Sequence, residues 1–150
     1  MAGQWSAEKM RALGSKHAQL EAECDLDGVM ATLVADPVYE FWPIGLRARG
    51  QDAIRRYYEH LLEVFVPTQL GYRLVEEWLS ERSLAQEYEI QFNGPDGRPV
   101  THQVIGILWA EAEGELMGGE RVWGSESCLR AMIGPLFDEL EPIRPLTDPA

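Results

Sequence analysis

The chain has 150 residues, the usual size of one domain and long enough to bury a sizeable core. Hydrophobic residues make up 45% of it, which excludes disorder over the whole length. The 25 acids against 13 bases give a net charge of −12, a surface that repels phosphate backbones and anionic lipid headgroups, so neither nucleic acid nor membrane is an expected partner.

Residues 6–22 read as a helix. Asp25 can cap a second helix, with Asp27 favourable at its positive end. Leu26, Val29, Met30 and Leu33 form its apolar face, and Asp36-Pro37 is expected to end it, because a residue before proline avoids the α region. Val38 to Trp42 is a short β-prone run stopped by Pro43, and Gly45 to Gly50 reads as a loop. A third helix opens at Asp52, buries Ile54, Tyr57, Tyr58, Leu61, Leu62 and Phe65, and breaks at Pro67.

After Gly71 the period changes from helical to two. Tyr72 to Leu79 alternates. Leu84, Gln86, Tyr88, Ile90 and Phe92 then share one face of a strand that closes at the turn Asn93-Gly94-Pro95-Asp96-Gly97. Val100 to Trp109 and Leu116 to Ser125 are further strands, and Cys128 to Leu140 reads as a short helix or a covering segment. Residues 1–140 form one expected domain, and 141–150, with three prolines, a tail. No apolar run approaches the ~20 residues of a membrane span, and the first residues carry no apolar export segment. Cys24 and Cys128 are expected as free thiols in a reducing cytoplasm. Three helices followed by a meander of strands is an α+β order.

Three segments carry a family resemblance. Cys24-Asp25-Leu26-Asp27-Gly28-Val29-Met30, running on to Asp36, is one. Gly50-Gln51-Asp52-Ala53-Ile54-Arg55-Arg56-Tyr57-Tyr58 is the second, and Gly119-Glu120-Arg121-Val122-Trp123-Gly124 the third. In that order and spacing the chain resembles the SnoaL-like, ketosteroid-isomerase-like branch of the nuclear-transport-factor-2-like superfamily, over roughly residues 17–134. The resemblance implies a cone-shaped, curved antiparallel sheet packed with three N-terminal helices around a central pocket. It also implies a tendency to homodimers. The superfamily holds isomerases, cyclases, dehydratases and non-catalytic domains, so function has to be argued from the site.

The isomerase machinery does not carry over. Its general-base position is Phe41 here, its oxyanion acid Gly106 and its oxyanion tyrosine His17; a supporting tyrosine is kept at Tyr58. The aspartate that cyclases carry after the last strand's aromatic is Gly124. The candidates that remain are His17, His102 and Glu120. The comparison places His17 on the first helix facing the cone. Parity puts His102 with Val104 and Gly106, and Glu120 with Gly124, on the pocket side if the alignment holds. Two imidazoles and a carboxylate around an apolar cavity suit acid–base chemistry near neutral pH. Tyr39, Phe41, Trp42, Tyr58, Tyr88 and Trp123 are the expected lining. Tyr58 would donate to a substrate oxygen.

Glu120 with Arg121 could equally be an edge ion pair, and His60, Glu87 and Glu89 are expected to be solvated. No HxH or HxxxH spacing supports a metal, and no phosphate loop or cofactor motif is present, so none is expected. The expected function is a cofactor-independent isomerase, dehydratase, lyase or cyclase acting on a small hydrophobic or aromatic oxygenated molecule. The alternative is a non-catalytic small-molecule-binding or dimerisation domain.

Overall fold

The computed structural model describes residues 4–143. Helix α1 (Ala7–Ala22) starts where the Ser6 hydroxyl accepts the Lys9 N–H at 3.2 Å, and it buries Met10, Gly14 and His17 on one face. Gly14 lets that face come close: a Cβ there would lie 2.5 Å from Leu84 Cδ2. Helix α2 (Leu26–Ala31) is capped by Asp25, whose carboxylate accepts the Gly28 N–H at 2.9 Å.

The second helix ends five residues before Asp36-Pro37, against expectation, because the chain passes directly into strand β1 (Leu33–Trp42). Pro37 is tolerated inside that strand because it falls in the register break between Leu33 and Val38, where the ladder makes no demand on a missing N–H. The loop expected at 45–50 contains a second strand, β2 (Leu46–Arg49), paired antiparallel from Val38↔Arg49 to Phe41↔Leu46. Leu-Arg-Ala-Arg has little strand signal of its own; β1 supplies the partners. Helix α3 (Gln51–His60) buries Ile54, Tyr57 and Tyr58. It widens into a π turn at Leu61–Phe65 and a 3₁₀ turn at Val66–Thr68, which accommodates Pro67.

Strands β3 (Gln69–Leu79), β4 (Ser83–Asn93), β5 (Pro99–Ala110) and β6 (Met117–Trp123) form the meander. Helix α4 (Glu126–Ile133) and a 3₁₀ turn (Gly134–Glu139) follow. Of the expected tail, Glu141–Pro142 forms a two-residue strand, β7, against β2; residues 144–150 lie outside the described residues.

All seven strands make one sheet in the order β3-β4-β5-β6-β1-β2-β7. Against the expected antiparallel sheet, one pairing is parallel, because β6 returns to lie parallel to β1. That pairing needs a long crossover, which α3 and the meander supply. Register breaks in β3–β4, β1–β6 and β5–β6 bend the sheet. The result is a curved, unclosed sheet with helices packed against it and the core between them. Among the described residues no helix is long and apolar enough to cross a membrane.

Candidate functional site

A cavity of about 360 Å³ opens between α1, the π turn and the inner faces of β3 to β6. Its walls are mostly apolar: Leu61, Phe65, Ile90, Leu108 and Met132 contribute. Into it project His17 and Glu21 from α1, Glu120 from β6 and Tyr88 from β4, with Gln69, Tyr72 and Gln86 also on the wall. The donor atoms of His17, Glu21 and Glu120 all lie within 4.8 Å of one another.

His17 is held on both nitrogens. Its Nδ1 lies 2.7 Å from Thr32 Oγ1, and Thr32 Oγ1 lies 2.6 Å from the Val29 carbonyl. A carbonyl only accepts, so the Thr32 hydroxyl proton points at Val29 and Thr32 must accept from His17. The proton on Nδ1 is therefore assigned by its partners, and Nε2 is the nitrogen that exchanges protons. Nε2 sits 2.8 Å from Glu21 Oε1 and 3.0 Å from the Tyr58 hydroxyl, which in turn meets the Tyr39 hydroxyl at 2.5 Å. Burial alone would lower the His17 pKa. The charge and hydrogen bond of Glu21, with the more distant charge of Glu120, outweigh it and raise the pKa above the ordinary histidine value.

Glu120 has a different environment. Opposite it across the ladders stand Leu108 and Tyr39, and its carboxylate lies over Gly106, where a Cβ would come 2.8 Å from Oε1. It is half-buried on the cavity wall and makes no hydrogen bond or ion pair with another described residue. Arg121 turns the other way and pairs with Glu40 at 3.3 Å, so the edge ion pair with Glu120 does not form. Burial, reinforced by the Glu21 charge and partly opposed by His17, pushes the Glu120 carboxyl up to about 8. Burial likewise pushes Tyr39, Tyr58 and Tyr88 well above the ordinary phenol value, so all three stay neutral hydrogen-bonding groups.

Not every expected residue reaches the cavity. His102 has the expected parity but lies four residues before Gly106, about 13 Å along the strand. There it stacks on Phe92, with ring centroids 5.4 Å apart, and meets Ser125 Oγ at 3.1 Å. Trp42 and Trp123 stack on each other at 5.7 Å, away from the lining, because Cα-paired positions on the parallel strands put their side chains on the same face. Tyr39 and Phe41 are core residues, and Tyr58 spends its hydroxyl on His17 and Tyr39 instead of facing a substrate. His60, expected to be solvated, is half-buried, with Nε2 2.9 Å from the Ala131 carbonyl.

Glu21 was missed by the sequence reading. Its signal was the i,i+4 spacing from His17 on a helical face, together with an acid in the last turn of a helix, where the macrodipole disfavours it. The trio offers one nitrogen and two carboxylates, a donor set that a divalent cation could use. Nε2 is already engaged by Glu21 and Tyr58, so such an ion would first have to displace those bonds.

No protein-family model matches the sequence, and no curated protein matches it. Solved structures do match in fold. An NTF2-like protein of unknown function from Cytophaga hutchinsonii is 11% identical, with a TM-score of 0.63 over 77% of this chain and 99% of that one. PrhC from Penicillium brasilianum is 15% identical, with a TM-score of 0.61 over 88% of this chain and 90% of that one. SalBIII, described as an epoxide hydrolase/cyclase-like enzyme with a role in pyran ring formation in salinomycin, is 16% identical, with a TM-score of 0.62 over 79% and 92%. The chain has the NTF2-like cone fold.

Proposed function

We propose that this NTF2-like cone is a cofactor-independent acid–base enzyme acting on a small, largely apolar molecule held in its cavity. The observation that carries the reading is the convergence of His17, Glu21 and Glu120 within 4.8 Å on an otherwise apolar wall. Glu120, with its pKa at about 8, holds a proton at neutral pH and is the general acid. The base is the His17–Glu21 pair, whose shared proton lies between Nε2 and the carboxylate 2.8 Å away; the Glu21 carboxylate takes up the substrate proton and the His17 imidazolium stabilises the charge that shifts. Thr32 and Tyr58 fix the ring, and Tyr88 offers a neutral donor to a substrate oxygen. Isomerisation, dehydration, lyase cleavage and cyclisation all need this pairing of acid and base. The likeness in fold to SalBIII is compatible with the last of these.

The free thiols Cys24 and Cys128 support a reducing compartment such as the cytoplasm. The exposed apolar residues Leu70, Tyr72, Leu74, Val75 and Trp78 on edge strand β3 support a homodimer.

The test is solvent deuterium incorporation into a panel of aryl ketones and aldehydes with acidic α C–H bonds. Exchange above the solvent rate that is lost in folded His17→Gln and Glu120→Gln supports the enzyme. Panel members that bind in the cavity but exchange at the solvent rate favour the second reading, a ligand-binding domain without catalysis. That reading draws on Phe41 and Gly106, inward positions where an acid is missing.

A further inference from the structure

The cavity contains two carboxylates and no lysine or arginine. Among the described residues, every ionisable group on its wall is Glu21, Glu120, His17 or a tyrosine. Glu21 is matched by His17 at 2.8 Å. Glu120 is not matched: no hydrogen bond or ion pair from another described residue reaches its carboxylate, which is half-buried and opens onto the cavity. A half-buried acid that faces a cavity and has no protein partner takes its partner from what enters the cavity.

We propose that this partner is a small apolar amine, bound as its ammonium ion between Glu120 and Glu21. The inference rests on the acid–base reading of the same cavity and names the substrate class for it. An ammonium nitrogen bonds carboxylate oxygens at about 2.8 Å, so it can bridge two oxygens up to about 5.6 Å apart. The 4.8 Å limit on the trio falls within that span. The apolar body of the ligand meets Leu108, Ile90 and Phe65. Tyr72 and Tyr88, with ring centroids 5.3 Å apart, put aromatic surface on the same wall, which suits a cation. The net charge of −12 draws cations toward the protein and repels anions.

The proton count follows. Glu120 is mostly protonated at about pH 7, and an adjacent ammonium takes over the role of that proton. The groups facing Glu120 are His17 and Glu21 from α1, Tyr39 from β1, Tyr57 and Tyr58 from α3, and Tyr88 from β4. The tyrosines are neutral and the Glu21 hydrogen bond keeps the proton on His17, so Glu120 is the group that yields. Amine binding therefore releases close to one proton per site at about pH 7, and the affinity rises about tenfold per pH unit up to about pH 8, where Glu120 is already ionised.

The experiment is calorimetry on the full chain with 2-phenylethylamine, 2-phenylethanol and 3-phenylpropionate, in two buffers of different ionisation enthalpy. The expected result is that the amine binds at least tenfold tighter than the alcohol at about pH 7.5, that the acid does not bind, and that proton release is lost in folded Glu120→Gln. Equal or tighter binding of the alcohol or the acid overturns the inference, as does absence of amine binding or proton release unchanged in Glu120→Gln. Carbon-13 titration of the Glu120 carboxyl separates the two failures. If Glu120 titrates near 8 without amine preference, the acid–base reading stands and this inference falls. Titration in the ordinary carboxyl range removes both.

Discussion

Thr32 is a small residue with a large consequence, because its one hydroxyl decides which His17 nitrogen carries the proton. Thr32→Val leaves a buried Nδ1–H without an acceptor, at a cost of about 1–3 kcal/mol. It also frees the ring to change tautomer. At a pH above the His17 pKa, nitrogen-15 shifts should show the Nδ1–H form in the wild type and a mixture in Thr32→Val, with recovery in Thr32→Ser. Glu120 governs the pH dependence of stability. Its folded pKa of about 8 lies above the ordinary value of 4.5, so the folded chain keeps a proton that the unfolded chain releases. Its contribution is full below about pH 4.5 and is lost as the pH rises to about 8, at up to about 1.4 kcal/mol per unit. The raised pKa of His17 acts with the same sign. Urea midpoints between pH 5 and 8 should fall more steeply for the wild type than for Glu120→Gln; parallel slopes would remove the raised pKa from the argument.

Between strands, the site depends on two close approaches. Gly118 and Gly119 bring β6 against Trp109 and against the Val38 carbonyl, so that Glu120, the next residue, meets Tyr39 in register. A Cβ at Gly119 runs into that backbone carbonyl, which cannot rotate away. Gly119→Ala should therefore cost about 3 kcal/mol in chemical denaturation and shift Glu120. Gly71→Ala on β3 meets nothing within 4 Å and should stay within about 0.5 kcal/mol, a control for glycine replacement in the same sheet. Gly14 performs the same service for α1: its missing side chain seats the helix on Leu84 and Leu108 and carries His17 and Glu21 to the cavity.

Among the described residues, apolar exposure is concentrated on one edge. Strand β3 is exposed along almost its whole length, although it carries Leu74, Val75 and Trp78, and its free edge is a template for pairing. If the homodimer forms there, sedimentation should give a dimer for the wild type and a monomer for Leu74→Glu with Trp78→Glu, with the fold intact. A dimer that survives both changes places the contact elsewhere. Tyr72 lies on the same strand and also lines the cavity, so ligand affinity should respond to this dissociation.

Periodicity and caps in the sequence determined the α+β order, the cap at Asp25 and the alternating strand around Tyr88, because these depend on neighbours a few residues apart. The resemblance in three short segments pointed to the cone. Only the tertiary structure decided the rest. β2 exists because β1 lies beside it, and β1 begins at Leu33 because β6 returns parallel to it. His102 shares the face of Gly106 yet misses the cavity, since parity fixes a side and not a height along the strand. Glu21, 99 residues before Glu120, joins it because α1 crosses the concave face at Gly14. Local sequence fixes directions; which directions converge is set by contacts between residues far apart in the chain.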